Sequence, residues 1–365
     1  MTDQPRTTAP VDTAPSAVPW VGLDSTRPPK STAALLTPTV DPDDVPAALR
    51  LAERLGRAAP LPGIGRTGEL WSILASLAAD DVGVARIVEP HLDALAVLAQ
   101  ARSAGLAPDL DRVGADDGAT WGVYAAEGPG VRLEARETAD GWALDGTKPW
   151  CSLAGSLSHA LVTAWTDDGR RLFAVGLRGS GVEAADGPWH ARGLAQVVSA
   201  SVRFDGAPAV PVGDAGWYLE RPGFAWGGIG VAACWWGGAA GVARAMFAAA
   251  DRPGREPDQI ALAHLGAVDT ALHAARTALA AAAVEVDEPT GDPATTARRV
   301  RSVVAAAAED VLTHAAHALG PGPLTTDERF ARRCADLGLY LRQHHAERDL
   351  ASHGRHLLAD GAAPW

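Results

Sequence analysis

Hydrophobic side chains recur along this chain with two different periods, and the change of period divides it. Through the first third the spacing is helical. Leu70, Ile73, Leu74 and Leu77 fall on one helix face, and Val88, Leu92, Leu95 and Leu98 repeat the stripe beyond Pro90. Leu61-Pro62-Gly63-Ile64-Gly65 punctuates this helical part. At about Thr120 short apolar stretches begin to alternate with turn residues. Trp142-Ala143-Leu144-Asp145-Gly146 ends in the Asp-Gly pair of a hairpin turn. Residues 160–165 and 172–177 read as strands across Asp167-Asp168-Gly169. In 197–204, Val198, Ala200 and Val202 face opposite to Ser199, Ser201 and Arg203. Helical spacing returns near Gly216. Leu265, Val268, Leu272 and Leu279 make one stripe, Val300, Val304, Ala307 and Val311 another, and 337–350 a last helix. Residues 1–32 are polar and rich in Pro and Thr, with too few large apolar groups to offset chain entropy. The expected order is a disordered tail over 1–32, a helical domain over 33–119, a β domain over 120–214 and a helical bundle over 215–365.

Composition narrows this α+β multidomain reading. A chain of 365 residues accommodates two or three packed units, and its 47% hydrophobic content is carried mainly by Ala, Leu and Val. Alanine-rich faces permit the short interhelical distances of a four-helix bundle. Net charge is −12 and no basic stripe of useful length occurs, which argues against nucleic-acid binding. The densest basic cluster, Arg298, Arg299 and Arg301, reads as the solvated face of a helix. Cys151, Cys234 and Cys334 have no paired spacing, so neither a disulfide framework nor a zinc site is expected. His314 and His317 lack a partner acid pair and read as helix surface; no metal is expected. There is no run of about 18 uncharged apolar residues and no signal peptide, so a cytoplasmic enzyme without a membrane span is expected.

One stretch carries more than periodicity. Gly141-Trp-Ala-Leu-Asp-Gly-Thr-Lys-Pro-Trp-Cys-Ser-Leu-Ala-Gly155 is similar to the segment G-y-x-L-x-G-x-K-x-W-I-T-N-A of the acyl-CoA dehydrogenase family. Trp189-His-Ala-Arg-Gly-Leu194, Val202-Arg-Phe-Asp-Gly-Ala-Pro-Ala209 and Val212-Gly213 resemble the pieces that follow it there. The resemblance covers nearly the whole chain after the tail. It implies an N-terminal helical domain, a central β-barrel domain and a C-terminal four-helix bundle. It also implies FAD in a cleft between them, with Trp150 and Ser152 on the flavin. Ala126 and Glu127, in Trp121-Gly-Val-Tyr-Ala-Ala-Glu-Gly-Pro-Gly130, match the family's flavin-and-substrate loop, although its threonine and its Gly-Ser-Asp are missing. Arg252, Arg255 and Gln259 fall where the family reaches the FAD of a neighbouring subunit. Gly320, in His317-Ala-Leu-Gly-Pro-Gly-Pro323, matches a family loop that approaches FAD across the dimer. A homodimer or homotetramer is implied, as is an acyl-CoA substrate, with an electron-transfer protein as possible acceptor.

The expected reaction is α,β-dehydrogenation of an acyl thioester, which needs a carboxylate with a raised pKa opposite the flavin. The C-terminal position that supplies it in most members falls on or near His344, where there is no acid. Leu219-Glu220-Arg221 matches the second position used in the family, making Glu220 the candidate base. His344, with His345 beside it, supports an alternative, a flavin monooxygenase on the same fold, since His moves protons near neutral pH. If 337–350 were one helix, the two rings would point about 100° apart and at most one would face the cleft. A degenerate subunit or scaffold is the third reading. Phe224, Trp226, Trp235 and Trp236 make an aromatic cluster from which part of a substrate pocket wall is expected.

Overall fold

The structure is a computed structural model that describes residues 17–24, 27–37, 39–185, 187–254, 256–359 and 361. It opens with four helices, α1 (Lys30–Leu35), α2 (Val45–Ala58), α3 (Thr67–Asp80) and α4 (Val82–Ser103). Aspartates start most of the long helices because a carboxylate satisfies the free N–H groups of a first turn. Asp44 accepts from Ala47 N at 2.8 Å and Asp81 from Val84 N at 2.9 Å. Asp81 also ends α3, so a single extended residue makes the corner between α3 and α4. α3 is apolar almost all round, the signature of a helix packed on several sides, and α4 is buried along most of its length.

Seven strands follow: β1 (Trp121–Tyr124), β2 (Leu133–Thr138), β3 (Gly141–Ser152), β4 (His159–Thr166), β5 (Gly169–Gly176), β6 (Val182–Ala184) and β7 (Ser199–Val212). The ring β4–β2–β3–β7–β5 closes on itself through the antiparallel β4–β5 hairpin, giving a small barrel. Its hairpin from β4 to β5 turns where the sequence places it, at Asp167-Asp168. Asp145-Gly146 does not turn: both residues lie inside β3, at a register shift against β7. Gly146 has φ +119, and a Cβ there would stand 2.2 Å from the Arg132 carbonyl oxygen, so the glycine serves a bulge.

The C-terminal part holds α5 (Trp217–Glu220), α6 (Pro222–Ala250), α7 (Gln259–Asp287), α8 (Pro293–Leu319), α9 (Pro321–Thr326), α10 (Glu328–Tyr340) and α11 (Glu347–Ala359). α6, α7, α8 and α10 form the bundle, and α6 packs on α3 as well. The last helix expected over 337–350 is broken. A 3-10 turn at Leu341–Gln343 and a left-handed Ala346 (φ 47) separate α10 from α11.

One large core joins α2, α3, α4, α6 and α8 to the barrel interior. A second joins Ala94, Val97 and Leu98 of α4 to Trp121, Leu161 and Leu172 on the barrel. The polar tail does not extend to residue 32. Val18, Val21 and Leu23 are buried, and the N–H groups of Val21 and Leu23 donate to Ser76 and Ser72 of α3. Few apolar groups suffice there because they close a face that α3 leaves open. No helix among the described residues is long and apolar enough to cross a membrane.

Candidate active site

α4, the barrel and the end of α10 enclose a cavity of about 680 Å³. Its barrel wall starts at the loop after β1. Glu127 there turns its carboxylate toward the barrel, 2.7 Å from Lys148 Nζ and 3.4 Å from Arg170 Nε. Lys148 is 1% exposed and also donates to Thr163 Oγ1 at 2.9 Å; Arg170 donates to the Ala125 carbonyl. Burial alone would raise the Glu127 pKa, but the Lys148 hydrogen bond and charge, with Arg170 behind them, hold it below the ordinary range. Glu127 thus lines the cavity with its acceptors already spent on these cations, and it anchors the loop that brings Ala126 to the same wall. Lys148 and Arg170 went unread as site residues because nothing local marks a lysine as buried.

Next comes the end of β3. Trp150 has φ 59 and is 62% exposed, a large apolar ring held outward on a left-handed backbone. Ser152 Oγ lies 2.8 Å from Ser199 Oγ and accepts from Arg86 Nη2 at 3.1 Å. All four non-glycine residues with left-handed φ among the described residues sit on or beside this cavity. Trp150 and Leu194 line it, Leu153 follows Ser152, and Ala346 follows His345. Strain of this kind persists where surrounding structure enforces it, and it clusters at functional sites.

The opposite wall is α4. Arg86, Glu89, Pro90 and Asp93 all face the cavity. Pro90 has no N–H, which leaves the Arg86 carbonyl without its intrahelical donor. Tyr340 donates its hydroxyl to Glu89 Oε2 at 3.2 Å, and Arg86 Nη1 stands 3.8 Å from the same oxygen. Burial pushes the Glu89 carboxyl up to about 7 against the opposing charge of Arg86, with Asp93 adding to the rise. Asp93 is raised by burial too. A carboxyl that exchanges its proton near neutral pH, set in a cavity, has the properties of a general base. Sequence periodicity placed 88, 92, 95 and 98 on a buried stripe and passed over Glu89, whose burial is a tertiary fact.

The two expected catalytic residues are not in the cavity. Glu220 is exposed at the end of α5. The next residue, Arg221, is 6% exposed and donates to Gln100 Oε1 at 2.6 Å, so it takes the inward direction. Tyr218, from the same turn, lines the cavity instead. His344 faces the bundle core, its ring 6.3 Å from Trp235 and its Nε2 3.3 Å from Ser302 Oγ. His345 lines the cavity in its place, held by Asp349. The helix break at Ala346 decides which histidine turns outward. Trp235 is fully buried, and none of the four expected aromatics lines the cavity; α6 contributes Val231. Arg301 is not solvated: it donates to the Gly228 carbonyl at 2.7 Å and the Gln343 carbonyl at 2.9 Å, over Trp235.

Arg252, Gln259 and Gly320 lie at the far end of the bundle. Arg252 lines a separate cavity of about 410 Å³ with His264, His317 and Pro323. Gln259 is exposed at the start of α7, and Gly320 ends α8 with φ 65; neither lines that cavity. His314 is not a surface residue standing alone, since its Nδ1 is 2.8 Å from Nδ1 of His264. Arg255 lies outside the described residues. A groove of about 760 Å³ near Asp80 and Arg332 is lined by charges that pair with one another.

No protein-family model and no curated protein matches the sequence. Solved structures do match. A nitrososynthase from Micromonospora carbonacea var. africana is 20% identical, with a TM-score of 0.70 over 94% of this chain and 100% of that one. Butyryl-CoA dehydrogenase from Megasphaera elsdenii is 18% identical, with a TM-score of 0.70 over 86% and 89%. The FMN-bound dibenzothiophene monooxygenase TdsC from Paenibacillus sp. A11-2 is 17% identical, with a TM-score of 0.67 over 88% and 97%. Joined to the helix–barrel–bundle order and the closed ring of strands, these likenesses establish that the chain has the acyl-CoA dehydrogenase fold, shared by dehydrogenases and by flavin-binding monooxygenases.

Proposed function

We propose that this chain is a flavin-dependent oxidoreductase acting on a small polar molecule in the cavity between α4, the barrel and α10. The observation that supports it most is a meeting of unlike parts in one place. An exposed aromatic on a strained backbone, a hydroxyl two residues on, and a buried carboxyl that titrates near neutrality all line one cavity. These residues fit a flavin: Trp150 offers a flat apolar face, Ser152 and Ser199 offer hydroxyls, and the Arg86 guanidinium sits directly behind Ser152. When bound, the flavin supplies two-electron transfer that no side chain here provides. Trp150 and Ser152 would hold the flavin, and Leu194, Val231 and Leu339 would keep water from it. Glu89 accepts or returns the substrate's proton while Tyr340 holds the carboxylate in place.

Two reactions use such a site. In α,β-dehydrogenation of an acyl thioester with FAD, Glu89 takes the α-proton in place of Glu220, and the likeness to butyryl-CoA dehydrogenase supports this reading. Under it, Arg252 in the second cavity would help hold the FAD of another copy in a homodimer or homotetramer. Monooxygenation is favoured by His345 at the cavity wall and by the ionisable character of the α4 face, which suits a polar substrate better than a fatty acyl chain. The nitrososynthase and the FMN-bound monooxygenase support that reading.

The absorbance spectrum of the purified chain, with FAD and with FMN added, tests the proposal. Anaerobic bleaching by an acyl-CoA supports dehydrogenation, and turnover only with reduced flavin and O₂ supports monooxygenation. A protein that stays colourless with both flavins ends the case. Trp150→Gly separates cofactor from fold. The substitution removes a left-handed strain of about 1 kcal/mol and little burial, so denaturant midpoints hold or rise slightly. Flavin affinity falls about tenfold or more, because the aromatic contact is lost. Equal flavin affinity in the variant would show that the ring does not rest on Trp150.

A further inference from the structure

We propose that Arg86 and Glu89 together set the reduction potential of the flavin, Arg86 as the charge that favours the reduced anionic ring and Glu89 as the counter-charge that cancels it. This rests on the flavin reading given above. The guanidinium is oriented by three contacts. Nη2 donates to Ser152 Oγ at 3.1 Å, Nη1 points toward Glu89 Oε2 at 3.8 Å, and the carbon lies 5.5 Å from the Tyr340 ring centre. Only 14% of the Arg86 side chain is exposed. A buried arginine ordinarily meets a carboxylate in a bidentate hydrogen-bonded fork. Here Nη1 is buried and makes no hydrogen bond at all, so the pair is loose and the positive charge is incompletely compensated. That charge is one hydroxyl away from the strand that carries Trp150.

The counter-charge is itself variable. Asp93 on α4 disfavours a second negative charge at Glu89. Arg86 on α4 and Arg301 on α8 favour it, Tyr340 of α10 donates to it, and the buried Cys234 thiol of α6 lies near it. Burial outweighs the favourable set, so Glu89 gains its proton as pH falls through about 7. Below that pH Arg86 stands unbalanced; above it the pair is neutral. Reduction of an oxidised flavin to the anionic form takes up two electrons and one proton, and a fixed positive charge beside the ring favours the product.

The test is a dye-referenced redox titration of the full-length, flavin-loaded protein with dithionite as electron donor, at pH 6 and pH 8. Arg86→Met lowers the ratio of reduced to oxidised flavin at a fixed poise about ten- to a hundredfold at pH 6, the order expected for losing one partly screened neighbouring charge. Arg86→Lys restores most of that ratio, because it keeps the charge. Glu89→Gln raises the ratio at pH 8 and removes the extra pH dependence near 7, which tests the pair independently should Arg86→Met fold poorly. Flavin bound at an unchanged potential in Arg86→Met or Glu89→Gln overturns this inference alone, as does Arg86→Lys behaving like Arg86→Met. A wild-type protein that binds neither FAD nor FMN overturns the flavin reading and this inference with it.

Discussion

Glu89→Gln is expected to make the protein more stable at pH 8, to change its stability little at pH 5, and to disable turnover. The sign follows from linkage. Burial raises the Glu89 pKa from 4.5 to about 7 in the folded chain. Folding therefore favours the protonated acid, and the stability that proton contributes is complete below about pH 4.5. It is lost as pH rises through 7, where the folded chain must hold a buried carboxylate. By pH 8 the loss approaches about 3 kcal/mol, at 1.36 kcal/mol per pKa unit. Glutamine keeps the shape and never ionises, so it escapes the loss. Removing a proton acceptor from the cavity lowers the rate about 10²- to 10⁴-fold. Chemical denaturation at the two pH values, beside a turnover assay, reads both effects. A stability difference that does not grow with pH, or a variant that turns over at the wild-type rate, defeats the assignment of Glu89 as the buried base.

Gly237→Val should be the most damaging single change in the bundle. Gly237 lies on α6 against α3, and a Cβ there would stand 2.0 Å from the Ala75 carbonyl oxygen and 2.6 Å from its carbon. Gly241, one turn on, meets the Ala79 carbonyl oxygen in the same way, at 2.6 Å. These contacts are to backbone, which has no rotamer to escape into, so the two helices must separate. Overpacking of a tight core costs about 1–3 kcal/mol even when side chains can shift. Valine at 237 should cost about 3 kcal/mol or more, since it forces backbone to move. The damage reaches the site, because α3 turns at Asp81 directly into α4, which carries Arg86 and Glu89. Gly266→Ala is the control: its Cβ meets nothing within 4 Å. It should gain about 0.5–1 kcal/mol from helix propensity alone. Denaturant midpoints of the two variants decide the matter, and a Gly237→Val protein as stable as the parent would mean that α3 and α6 do not pack this closely.

What the sequence by itself determined is the order of structures and the strand that anchors the candidate site. Apolar periods of 3.6 and 2 follow from local backbone geometry, so the succession of helices, strands and helices is written in the chain. So is the Gly141–Gly155 segment that carries Trp150 and Ser152, although its Asp145-Gly146 pair reads as a turn and only pairing with the neighbouring strands makes it a bulge. Which side chains face the cavity is another matter, decided by contacts between elements far apart in the chain. Glu89 is one residue of a long helix until Tyr340 closes over it and bonds its carboxylate. Glu220 reads as well placed until Arg221 takes the inward direction toward Gln100. His344 and His345 are indistinguishable in sequence, and the left-handed turn at Ala346 sends one into the core and the other to the cavity. Tertiary packing decides these cases because burial, and with it the cost of holding a charge, depends on what every neighbouring element contributes.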